Sequence, residues 1–113
     1  MCMAKVFVIP FHVKAMEHSI MPPDLAGAYV SCYSQGETYL EATESALKKL
    51  AEDGLHPEEI LQPIHEMESS AWTAHVKEAW PDYVNSLPTQ DDFEGAIKSG
   101  KVVYGPFGSY EQQ

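Results

Sequence analysis

Five histidines, His12, His18, His56, His65 and His75, are the side chains best suited to metal or proton chemistry in this 113-residue chain. None pairs with another at the spacing of a helical zinc motif. His65-Glu66-Met67-Glu68-Ser69 lacks the second histidine of His-Glu-x-x-His. On a strand, alternation turns His65 away from Glu66 and Glu68, and it separates Cys32 from His12 in the same way. Ser31, Ser34, Ser69 and Ser70 offer hydroxyls without a Gly-x-Ser-x-Gly elbow. Gly105-Pro106-Phe107-Gly108 has no lysine in P-loop register and opens no helix. The carboxylate pairs Glu58-Glu59 and Asp91-Asp92 fall at element starts, where they solvate the chain or favour a helix N-terminus. The expectation is no catalytic residue, no metal and no cofactor, with catalysis the less favoured class.

The elements that would position these groups follow from periodicity. Residues 5–14 alternate as a strand, with Phe7, Ile9, Phe11 and Val13 on one face and Val6, Val8 and His12 on the other. Residues 15–27 form a long connection containing Met-Pro-Pro-Asp. A second strand, 28–34, puts Ala28, Val30 and Cys32 on one side and Tyr29, Ser31 and Tyr33 on the other. Gln35-Gly36 breaks it. Thr38 caps a helix whose stripe is Tyr39, Thr43, Ala46, Leu47, Leu50 and Ala51, and Gly54 stops it. A third strand is expected over 59–68. Ser70 caps a second helix through Trp72, Val76, Ala79 and Trp80, which Pro81 breaks. Thr89 caps a third, ending at Gly100, and residues 101–107 form the last strand. Residues 108–113 read as a loose tail.

The pattern predicts one domain, 1–113, of the α+β class. Its form is a two-layer sandwich, a mixed four-stranded sheet with helices on one face, in the element order β-β-α-β-α-α-β. The right-handed crossover rule makes strands two and three parallel.

Seventeen acidic residues oppose seven basic ones, all lysine, for a formal charge of −10. Such a chain is repelled by nucleic acid and by anionic lipid, and no apolar run reaches the ~18 residues of a membrane helix. Cys2 and Cys32 are placed too differently for a framework disulfide. A cytoplasmic location is expected because the N-terminal stretch carries no basic leader or cleavage site.

Gly27-Ala28-Tyr29-Val30-Ser31-Cys32-Tyr33, Glu41-Ala42 with Ala46-Leu47, Glu52-Asp53-Gly54 and Ala96-Ile97-Lys98-Ser99-Gly100 together resemble a pattern in small, mostly bacterial, uncharacterised α+β proteins. The resemblance implies a ferredoxin-like arrangement. It implies no activity and carries over no functional residue.

With helices on a single face, the reverse face would carry Val6, Val8, His12, Tyr29 and Tyr33, joined by Tyr104. Such a ring-bearing, β-branched surface suits an interface. The expected function is a non-enzymatic interaction module, either a homo-oligomer or a docking protein for a basic partner. The acidic run over residues 37–68, with nine acids and two lysines, motivates the second form. The alternative is a small-ligand sensor or enzyme with a pocket between the sheet and the Trp72/Trp80 helix, where two indoles flank His75.

Overall fold

Two long strands organise the chain: β1 (Lys5–Ala15) and β2 (Leu25–Gln35) pair antiparallel, Val8 opposite Tyr33 and His12 opposite Tyr29. The computed structural model describes residues 5–15, 25–61, 64–106 and 108–111. Cys2, His18 and Phe107 lie outside them, as does most of the expected 15–27 connection.

Helix α1 (Tyr39–Glu52) begins at Thr38, whose Oγ1 accepts from the Glu41 amide at 3.3 Å. It ends before Gly54, which turns the chain at φ 73°. Beyond that turn, β3 (Leu55–Ile60) and β4 (His65–Glu68) run in series along the outer edge of β1, both antiparallel to it. After a 3₁₀ turn come α2 (Trp72–Ala79) and, past a second such turn at Pro81–Tyr83, α3 (Gln90–Lys98). Thr89 Oγ1 caps α3 by accepting from the Asp92 amide. The short β5 (Val103–Tyr104) and β6 (Gly108–Glu111) pair with the far edge of β2.

The chain is an α+β sandwich, as its periodicity predicts. Several details differ. The expected third strand divides into β3 and β4, because an eleven-residue β1 exposes more edge than one short strand can fill. β2 and β3 do run in the same direction, but β1 lies between them, so every neighbouring pair is antiparallel and the sheet is not mixed. Gly108–Glu111, expected as tail, is a strand because β2 extends beyond β5 and offers it a free edge.

The largest correction concerns the layers. On one face, Phe7, Ile9, Phe11, Val13, Ala28, Val30 and Cys32 pack against Ala42, Ala46 and Leu50 of α1. The helical stripe is rotated from the expected one, for Tyr39 is 52% exposed. On the reverse face, Val6, Val8 and Tyr33 are buried under Trp72 and Val76 of α2 and Phe93 and Ile97 of α3. Helices therefore cover both faces. The apolar positions of α2 and α3 need a surface, and α1 already occupies the first one. Each fully buried Leu or Phe contributes about 1.5–3 kcal/mol, so a bare reverse face would forfeit several such terms.

Candidate functional site

The burial pattern divides the expected interface residues into three groups. Val6, Val8 and Tyr33 are core and cannot meet a partner. Tyr104 faces the other side of the sheet, opposite Cys32, and packs half-buried beside the α1 layer. His12 and Tyr29 remain on the part of the reverse face that the α2–α3 cluster does not include. Their rings stack at 4.7 Å and 18°, and Tyr29 stays 51% exposed.

Under α2 lies a polar cluster within an aromatic one. Trp72 and Phe93 stack face to face at 4.0 Å, and the Tyr33 ring meets both edge-on. The Trp80 indole N–H donates to Tyr33 Oη at 2.9 Å, and Tyr33 Oη lies 2.7 Å from His75 Nε2. The indole can only donate, so of the two neighbours His75 Nε2 alone can accept the tyrosine proton, and the tautomer assigned is the neutral imidazole that does so. Burial agrees with that assignment. It pushes the Tyr33 hydroxyl up and His75 down; Glu78 pulls the histidine back, and His65 adds to the lowering.

A tyrosine proton held against an imidazole is acid–base chemistry in form. Tyr33 is fully buried, however, and the space between sheet and α2 that the ligand-pocket alternative requires is filled by the Tyr33, Trp72 and Phe93 rings. The cluster holds α2 to β2. The tryptophan spacing around His75 hinted at it from the sequence; the 42-residue separation of Tyr33 from His75 did not.

On the α1 side a second network forms. The Tyr104 hydroxyl donates to Asp53 Oδ2 at 2.6 Å, and Lys49 Nζ lies 3.2 Å from the same oxygen. Burial, then the carboxylate it serves, raises the Tyr104 hydroxyl far above its usual range. Cys32 beneath is pushed up to about 12 by burial and is inert as a nucleophile.

The outer strand column has the strongest surface character. Glu58 and Glu59 of β3 and Glu66 and Glu68 of β4 are all exposed, and the column contains no lysine. One ion pair, a long 3.8 Å contact from Lys5 to Glu66, touches it among the described residues. Glu41, Glu44 and Glu52 of the adjoining α1 are exposed as well. β3 and β4 pair only with β1 among the described residues, so their outer backbone groups form the sheet margin. His12 stands opposite Glu59, which joins the stacked rings to this acidic margin.

No group of three or more His, Cys, Asp or Glu among the described residues is arranged to hold a metal ion. No helix among them is long and apolar enough to cross a membrane. Comparison with protein-family models, with curated proteins and with solved structures finds no match to the chain.

Proposed function

We propose that the protein is a non-enzymatic docking module that takes a basic protein partner on the side formed by α1, β3 and β4. The observation that carries this reading is the β3–β4 margin, an outer strand column with four exposed glutamates whose outer backbone groups pair with no strand among the described residues. Carboxylates at a sheet margin discourage edge-to-edge pairing between copies of an acidic chain. The same charges steer a cationic segment toward that margin, and the backbone groups can then pair with it as an added strand. Tyr29, stacked on His12 beside Glu59, adds apolar area next to the charged rim.

The test is a fluorescence-anisotropy titration with a labelled peptide of alternating lysine and valine. Binding to the wild type is expected to weaken about tenfold between roughly 20 and 200 mM salt. It is expected to vanish in the Glu58→Lys/Glu66→Lys variant. Equal affinity for wild type and variant defeats the proposal.

Self-association is the second reading, favoured by the exposed Tyr29 stacked on the half-buried His12. Light scattering that gives a dimer for the wild type and a monomer for Tyr29→Glu would select it.

A further inference from the structure

Three of the seven lysines, Lys48, Lys49 and Lys101, line one groove between the C-terminal half of α1 and the turn that leads from α3 into β5. Its volume is about 560 Å³, and it is a groove open to solvent rather than an enclosed cavity. Glu52 is the one acid of its lining and Asp53 holds Lys49, so three lysines less these two carboxylates leave a formal charge of +1 in a chain of −10. Lys49 is fixed from below: Asp53 holds it, and Tyr104, anchored in the sheet opposite Cys32, holds Asp53. Lys48 and Lys101 form no ion pair among the described residues. Ser45 adds a hydroxyl to the lining and Val102 an apolar wall. Gly100 turns the chain at φ 78° without placing a side chain at the rim.

We propose that this groove binds a small hydroxylated phosphomonoester. Lys48 and Lys101, the two lining lysines outside an ion pair among the described residues, can offer ammonium groups to a phosphate beside the Asp53-held Lys49, and lysine serves phosphate as a point charge. Glu52 and Ser45 suit the hydroxyls of the ligand body, since a carboxylate accepts and a serine both donates and accepts. The acidic surface beyond the groove repels any polyanion, so nucleic acid and anionic membranes are excluded and the ligand must fit within the lining. This inference uses residues apart from the β3–β4 margin and stands independently of the docking proposal.

The test is a pair of titrations, calorimetric and by amide NMR, with inorganic phosphate, glycerol 3-phosphate and glucose 6-phosphate. Glucose and sulfate serve as controls. Saturable binding of at least one ester is expected, tighter than phosphate and with shifts centred on Ser45, Lys48 and Lys101. Lys48→Gln/Lys101→Gln is expected to weaken it about tenfold or more. Both lysines are exposed, and an unchanged thermal melt verifies that the variant folds. The proposal is overturned if none of the three phosphates saturates by about 10 mM, if binding survives the double substitution, or if sulfate binds as well as the esters.

Discussion

The Tyr33 hydroxyl has one proton to give, and of its two neighbours only His75 Nε2 can accept it, which assigns the neutral His75 tautomer. Protonating His75 would set an N–H against this O–H and displace the tyrosine proton from its acceptor. Burial lowers the folded-state affinity of His75 for a proton relative to an ordinary imidazole near 6.5. The unfolded chain therefore binds more protons as pH falls through 6.5, and stability declines in that direction. His75 contributes its full share above that value and loses it progressively below. Urea denaturation across this range is expected to show the midpoint falling with acid in the wild type and a shallower fall in His75→Gln. Parallel slopes in the two proteins would contradict the lowered proton affinity of buried His75. Tyr33→Phe should cost about 1–3 kcal/mol at neutral pH, since it leaves an indole N–H and an imidazole nitrogen without their partner.

At the scale of elements, two glycines predict opposite outcomes. Gly36 sits where β2 turns into α1, and a Cβ there would lie 2.8 Å from the Ala42 nitrogen and 2.9 Å from the Thr38 oxygen. Both neighbours are backbone atoms of the helix start, so Gly36→Ala must shift α1 and is expected to cost about 1–3 kcal/mol. Gly95 lies inside α3 with open space around it. Gly95→Ala adds helix propensity without a clash and is expected to stabilise by about 0.5–1 kcal/mol. Denaturation midpoints of the two variants should move in opposite directions, and movement in the same direction refutes the steric account. These elements were largely legible in the sequence. Thr38, Gly54, Thr89, Gly100 and Pro81 each act through their own backbone or the next few residues, so their signals are local. The division of the third strand was not legible, since it depends on how much edge β1 leaves open.

For the whole molecule, ten uncompensated negative charges repel one another, and only two ion pairs occur among the described residues. Screening should therefore stabilise the fold. Raising ionic strength from about 10 to 200 mM is expected to lift Tm by a few degrees. A flat or falling Tm would show that attractive pairs outweigh the general repulsion.

The alternation in β1 and β2 was determined by the sequence alone, because side-chain period is a property of the local backbone: Phe7, Ile9, Phe11, Val30 and Cys32 share one face in the sheet as they do on paper. The acidity of residues 37–68 was legible as composition, but that Glu58, Glu59, Glu66 and Glu68 form a sheet margin was not, because it depends on which strand β3 and β4 pair with. Which helix covers which face was a tertiary decision. Trp72, Val76, Phe93 and Ile97 mark a buried side wherever they pack, and only the route of the chain around the β4 edge sets them on Val6, Val8 and Tyr33. The lysine groove is likewise tertiary, since Lys48 and Lys101 are 53 positions apart in the chain (101 less 48) and meet only because β5 returns beside α1.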